Sequence, residues 1–335
     1  MPDTLTTTYS FWSSYRNCPQ ACAWRYLHEL APIERSQNLR FGSLIHQCLE
    51  HWHGTGDLAG TLELVETACR QSLGDPEVKA AWHLATAMLM GYVMRYPEEA
   101  FTVVALEKTF AGPLLNPETG HASRTFSLAG KVDGIVRLDG ELFLLEHKTA
   151  AVVDGDYLER LWMDFQIRLY AYALEKFLGL RIAGVLYNIL VKAKLRQGHG
   201  ETEEEFRQRA AELAAANKSG KTTAQRKLPE TDADFQGRLR AKYADPSLFH
   251  REMLYFSREQ IAEVEHELWM LAQQFLFARR RQAFSRNTSH CYHYGAPCAY
   301  VPLCRANGAQ HVIDNLYERR TPHEELLAPQ SAPVF

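Results

Sequence analysis

The chain has 335 residues, 46% apolar and 23% charged, enough to bury a sizeable core and ordinary for a globular protein. A formal net charge of −3 excludes a uniformly basic nucleic-acid coat, so any phosphate-binding surface must be a local basic groove. Seven cysteines, an odd number, argue against a disulfide framework, and no apolar run approaches a membrane span.

The opening MPDTLTTTYS has no basic segment followed by an apolar run, so a cytoplasmic chain is expected. Thr8 or Ser10 can cap a short helix that Pro19 ends, and Gln20 to Leu30 reads as the next. Phe41, Leu44, Ile45, Cys48, Leu49 and Trp52 recur at helical spacing and form one apolar face. Residues 60–96 read as further amphipathic helix, ending near Pro97.

The period then changes. Residues 101–110, 124–138 and 141–148 read as strands, the second bent at Gly130, with Asp139-Gly140 a strong hairpin signal. A helix is expected from about Tyr157 to Leu178, with Leu161, Trp162, Phe165, Leu169 and Ala173 inward, and a buried strand over 182–192. Residues 199–245 are charged and read as an insertion with a mobile loop. A strand over 252–256 follows, then a long helix to about Phe284 opened by a capping box of Ser257 and Gln260.

This order predicts an α/β fold with a mixed central sheet flanked by helices. One domain over 1–317 is expected: a helical part (1–100), a core (101–192), the insertion (199–245) and a C-terminal helix with a cysteine-bearing end (252–305). Residues 318–335 read as a loose tail.

The segment GKVDGIVRLDGELFLLEHKTA carries the chemistry. Strand alternation puts Glu146 and Lys148 on one face and His147 on the other, and the hairpin can bring Asp133 beside them. Two carboxylates beside a lysine suit Mg²⁺ or Mn²⁺ rather than zinc. Such an ion neutralises a scissile phosphate and activates water, while Lys148 can orient that water or stabilise developing charge. An exposed hairpin ion pair would read the same way. Gly42 to His46 sets an imidazole one turn after a glycine on the flank of the apolar stripe, which a helix-surface histidine would also explain. Gln166 and Tyr170 are four apart and share a helix face, as ordinary helix polarity also allows.

Taken in order, GxxxH, GxxD, ExK and QxxxY resemble the RecB-like branch of the PD-(D/E)xK nucleases, from about Thr8 to Cys304. That branch includes the nuclease domains of recombination helicase-nucleases, CRISPR-associated spacer-trimming exonucleases and phage exonucleases. The resemblance implies a restriction-endonuclease-like core and Mg²⁺- or Mn²⁺-dependent DNA cleavage, most simply by an exonuclease in repair, recombination or phage and CRISPR DNA processing. It implies metal binding by His46, Asp133, Glu146 and the main-chain carbonyl of His147, with Gln166 and Tyr170 positioning DNA or Lys148. Host-cell cytoplasm is the location if the chain is phage-encoded, and a helicase would be a separate partner. A non-catalytic DNA-binding or assembly subunit of the same fold is the alternative.

Cys18 precedes Pro19, and Cys291, Cys298 and Cys304 close the folded part. Four thiolates can hold a [4Fe–4S] cluster. The relatives just named pair one N-terminal cysteine with three C-terminal ones, as here, but often place two as CxxC, where this chain has Gly295. A zinc site is the alternative, although zinc knuckles usually use CxxC. Cys22, Cys48 and Cys69 read as core thiols, with Cys22 the substitute ligand. Tyr292, Tyr294 and Tyr300 can pack there or stack on bases.

Ser219 to Thr222 resembles the end of a P-loop, but Ala215 stands where glycine is required and no strand precedes it, so an ATP site is not expected. Lys218, Lys221, Arg226 and Lys227 could grip a DNA backbone, or simply solvate a loop. Arg16, Arg25 and Arg40 are better placed candidates.

Overall fold

The computed structural model describes residues 4–34, 37–293, 296–323 and 326. The chain opens with β1 (Leu5–Thr7) and α1 (Tyr9–Asn17), whose first turn is capped by the Thr8 hydroxyl accepting from the Phe11 amide. Pro19 ends α1 and starts α2 (Pro19–Cys22), which runs on as a π-helical turn over Ala23–Leu27 before β2 (Leu30–Pro32). The helix expected over Gln20 to Leu30 therefore stops at Leu27, and Leu30 begins a strand.

Three helices follow: α3 (Gln37–Thr55), α4 (Leu58–Cys69) and α5 (Pro76–Arg95). The continuous helix expected over 60–96 is broken because Asp75 caps α5 and Pro76 occupies its first turn.

The sheet is built from β3 (Thr102–Leu115), β4 (Ala122–Leu138), β5 (Glu141–Ala150), β6 (Gly184–Val191) and β7 (Phe249–Tyr255), together with β1. β3 pairs antiparallel along most of β4, while the other edge of β4 takes β1 in parallel and then β5 antiparallel. β5 and β6 run parallel, and β6 and β7 antiparallel, so the sheet is mixed as expected. Asp139 and Gly140 both have positive φ, the backbone a tight β4–β5 turn requires. Gly130 is needed for close approach: a Cβ there would lie 2.4 Å from the Phe110 ring on β3.

Between β5 and β6 the chain forms α6 (Gly155–Leu161) and α7 (Phe165–Leu178). The single helix expected from Tyr157 breaks at Trp162 to Asp164, because Asp164 caps α7 by accepting from the Gln166 amide. Trp162, expected inward, is 46% exposed at this corner.

The charged insertion contains α8 (Glu203–Ala216), which buries no residue, and α9 (Asp232–Tyr243), which buries Phe235, Leu239 and Tyr243 against the α5 side. Its second half is thus core. The predicted capping box of Ser257 and Gln260 opens α10 (Arg258–Arg280), four residues shorter than expected.

The end comprises β8 (Tyr292–His293), β9 (Ala296–Pro297), α11 (Val301–Arg305), α12 (Gln310–Leu316) and β10 (Tyr317–Arg319). β10 pairs antiparallel with β2, and the Arg320 amide donates to Glu29. Glu318 and Arg319, expected in a loose tail, are therefore strand residues. Tyr294 and Gly295 lie outside the described residues.

Apolar residues cover both faces of the sheet. One face packs against α1, α7 and α10 through Trp12, Phe126, Leu128, Leu174 and Phe275, and the other against α3, α4, α5 and α9 through Leu44, Leu49, Met88 and Leu190. Among the described residues no helix is long and apolar enough to cross a membrane.

Candidate active site

The antiparallel pairing of β4 and β5 ends at Gly134↔Leu145, so the next residues in register are Asp133 and Glu146. There the strands part, and the His147 amide donates to Asp133 Oδ2 at 2.9 Å. The carboxylate takes the place of a ladder partner, which satisfies an otherwise buried N–H and fixes the acid. His46 reaches the same oxygen from α3, with Nδ1 3.1 Å away.

On the α7 face, Lys148 Nζ donates to Glu146 Oε1 at 2.6 Å and to Gln166 Oε1 at 2.8 Å. Gln166 Nε2 in turn donates to the Tyr170 hydroxyl at 3.3 Å. The structure thus brings His46, Asp133, Glu146, Lys148, Gln166 and Tyr170 into one connected site. Gln166 can reach Lys148 because the break before α7 puts it in that helix's first turn. Asp164, which makes the break, accepts from the Tyr187 hydroxyl at 3.1 Å through its other oxygen. Sequence reasoning missed this anchor; Asp164 ahead of an apolar helical run is an N-cap signal that could have found it.

Burial would raise the Asp133 carboxyl, but His46 and the His147 amide outweigh it and hold it well below the usual carboxylate range. The same pairing overcomes burial at His46 and raises its imidazole. Lys148 is desolvated too, yet Glu146 and Asp164 raise its ammonium, keeping it protonated. Glu146 is the frustrated member. Burial pushes its carboxyl up to about 7, Asp133 adds to the shift, and Lys148 only partly offsets it.

A cleft of about 470 Å³ opens beside Lys148, bounded by Tyr9, Ser13, Arg16, Tyr157, Arg160 and Phe165 among others. Arg16 stands over the Phe165 ring at 4.7 Å and pairs with Glu267 at 3.1 Å. It also borders a second cleft between α1 and α10, reaching Phe277 and Ser285. Arg40, half-buried on α3, and the exposed Lys218 and Lys221 after α8 do not line either cleft. Arg160, which does, was not singled out in the sequence because nothing local distinguishes it from other helix-surface arginines.

Two solved structures align with this chain. A candidate exonuclease from Eubacterium rectale covers 98% of this chain and 94% of its own, with 11% identity and a TM-score of 0.47. A structure described as SSO0001 covers 72% of this chain and 77% of its own, with 10% identity and a TM-score of 0.23. No curated protein matches. Residues 6–305 match the PD-(D/E)XK nuclease superfamily. The chain belongs to that superfamily. It is a nuclease, and its mixed sheet flanked by helices is the restriction-endonuclease-like core expected.

PD-(D/E)XK nucleases generally work with Mg²⁺ or Mn²⁺. Among the described residues of this nuclease, no three His, Cys, Asp or Glu side chains close into a metal-holding group. Here Asp133 Oδ2 is engaged by His46 and the His147 amide, and Glu146 Oε1 by Lys148. The donor chemistry nevertheless fits a hard cation: two neighbouring carboxylates and an imidazole, with one acid raised by burial and by the other.

At the chain's other corner, Cys18, Cys298, Tyr300, Leu303 and Tyr317 share a small apolar cluster. Burial pushes the Cys298 thiol up, and the thiols of Cys18, Cys291 and Cys304 all add to that shift. The pairing of β8 with β9 sets Cys298 against Cys291, its amide donating to the Cys291 carbonyl at 2.7 Å. Cys22 is fully buried, with Sγ 3.7 Å from the Phe11 carbonyl, and burial pushes its thiol far up. It is a core thiol, as are Cys48 and Cys69. Tyr300 is buried, donates to the Leu30 carbonyl at 2.7 Å and stacks on Tyr317, whereas Tyr292 is exposed.

Proposed function

We propose that this nuclease is a divalent-metal-dependent exonuclease acting on DNA ends or single strands. The observation that carries the reading is the point where β4 and β5 part, with Asp133 and Glu146 side by side and a protonated Lys148 held between Glu146 and Gln166. Mg²⁺ or Mn²⁺ held by His46, Asp133, Glu146 and the His147 carbonyl would neutralise the scissile phosphate and supply an activated water. Lys148 keeps its proton and would place a fixed positive charge where negative charge develops on the scissile phosphate. Gln166, locked by Tyr170, keeps that ammonium from turning wholly to Glu146. Arg16 and Arg160 flank the strand's approach, and Tyr9, Tyr157 and Phe165 supply aromatic rings in the same cleft.

The thiols of Cys18, Cys291, Cys298 and Cys304 would hold a [4Fe–4S] cluster as a clamp between distant parts of the chain, with a four-cysteine zinc site as the alternative. Support comes from the nearness of Cys18, Cys291 and Cys304, whose thiols each raise that of Cys298. Iron, sulfide and zinc analysis separates the two.

The enzymatic reading is tested with end-labelled linear and covalently closed DNA, single- and double-stranded, in Mg²⁺ or Mn²⁺. Linear substrates should be degraded progressively and closed circles spared. Equal cutting of closed circles would overturn exonuclease action, and no cutting of any substrate would overturn the nuclease assignment of this site.

A further inference from the structure

Behind the carboxylates, on the opposite face of the sheet, lies a polar row in a region where apolar side chains would pack. His147, Asn188 and Arg251 are register partners on β5, β6 and β7. Asn188 is the one polar residue in the otherwise apolar, wholly buried GVLYNILV strand. Its Nδ2 lies 3.0 Å from His147 Nδ1 and 3.1 Å from the Tyr92 hydroxyl on α5. Arg251 donates to the same hydroxyl at 3.0 Å and to Glu99 at 2.8 Å. His53 on α3 closes the group, with Nε2 3.1 Å from the Tyr92 hydroxyl and its ring stacked 5.4 Å from that of His147 at 6°.

Replacing such a buried ionic group by apolar residues is often neutral or stabilising, so fold stability alone does not account for it. Its geometry does. The His147 imidazole is held on two sides, by Asn188 at its edge and by His53 on its face. That fixes the rotation of the residue whose amide, on the other side of the backbone, holds Asp133. We propose that Asn188, backed by Tyr92, Arg251 and Glu99, is a positioning residue for the His147 peptide and through it for the Asp133 carboxylate. The inference rests on the nuclease reading of the site. Asn188 touches neither substrate nor metal; it acts by limiting how far the β5 backbone can turn where it leaves β4.

The full-length chain with Asn188→Leu tests this against wild type, with Mn²⁺ binding by calorimetry, cleavage kinetics and thermal melting measured side by side. The expected result is Mn²⁺ affinity lower by roughly 10–100-fold, the range for residues that orient metal ligands. The cleavage rate at saturating Mn²⁺ and DNA should fall while KM for DNA is held; the melting temperature should fall as well, because His147 Nδ1 loses a buried partner, so the Mn²⁺ affinity carries the test. His147→Leu should show the same loss, and the double variant no more than either alone, since both act through one link. Should Asn188→Leu fail to fold, Tyr92→Phe removes only the hydroxyl behind Asn188 and should lower Mn²⁺ affinity in the same direction. Wild-type Mn²⁺ affinity in Asn188→Leu, or in a folded Tyr92→Phe if that is the variant available, overturns the inference, as does full additivity in the double variant. A wild-type chain that neither binds Mn²⁺ nor cleaves DNA overturns the nuclease reading itself, and the positioning role with it.

Discussion

His46 Nδ1 on α3 and Asp133 Oδ2 on β4 lie 3.1 Å apart, and each holds the other in its charged form against the effect of burial. Glu146, the next acid along, has no comparable partner, since Lys148 only partly offsets its desolvation. Glu146 is therefore the acid that burial leaves raised in the metal-free site.

That shift has a pH signature. Burial pushes Glu146 up to about 7, and Asp133 raises His46 against burial. Both groups have folded values above their unfolded ones, so each stabilises the metal-free fold at low pH and loses that contribution as pH rises through its folded value. Asp133 works the other way, with a depressed value whose contribution is lost only in strong acid. EDTA-treated protein should accordingly melt lower as pH rises from roughly 5 to 8. Glu146→Gln should flatten the profile and Mn²⁺ should reverse it. A melting temperature that climbs over this range in EDTA would contradict the charge assignment.

Asp133→Ala and Lys148→Ala should each reduce Mg²⁺- or Mn²⁺-dependent DNA cleavage by at least roughly 10²–10³-fold, the scale of losing one charge-stabilising group. Circular dichroism should show the fold retained. Undiminished cleavage by either variant would place the chemistry elsewhere.

Arg16 stands at the junction of the two clefts. Arg16→Ala should weaken binding of a labelled single strand to a similar extent whatever its sequence, and reduce the salt slope of binding by about one charge. Titrations at several salt concentrations measure both. An unchanged slope would mean that Arg16 serves only its pair with Glu267.

On the proposed cluster reading, Cys18→Ala should remove iron and sulfide and lower the melting temperature, because the clamp would then tie the first helices to the later cysteines less firmly. Full iron content with unchanged melting would refute the role of Cys18.

Gly130→Ala places a methyl 2.4 Å from the Phe110 ring, itself packed 5.7 Å from Tyr170. Overpacking of this kind costs about 1–3 kcal/mol. Denaturant unfolding should show that loss, and Phe110→Leu in the same chain should recover part of it.

The local features were legible in the sequence. Asp139-Gly140 needs only two residues to specify a turn, the Ser257–Gln260 box spans one helical turn, and the motif residues from His46 to Tyr170 keep recognisable spacings. What could not be read depends on partners far along the chain. β2 and β10 are too short to show a period and are strands because they pair with each other. The row of His147, Asn188 and Arg251 exists only once three strands are in register, and its single sequence mark is an asparagine inside an apolar run. The break between α6 and α7 was hidden because apolar spacing runs through it while Asp164 stops it.

α1, which carries Arg16 and walls the cleft, rests its Phe11, Trp12 and Tyr15 rings on Phe275 of α10, and Gln20 is tied to Ser285 just beyond that helix. On the ribosome, the carboxylates and lysine are all made long before α10 emerges. A nascent chain thus has α1 and the acidic residues before it has the helix on which α1 rests, so the wall of the cleft is the last part of the site to be fixed in place.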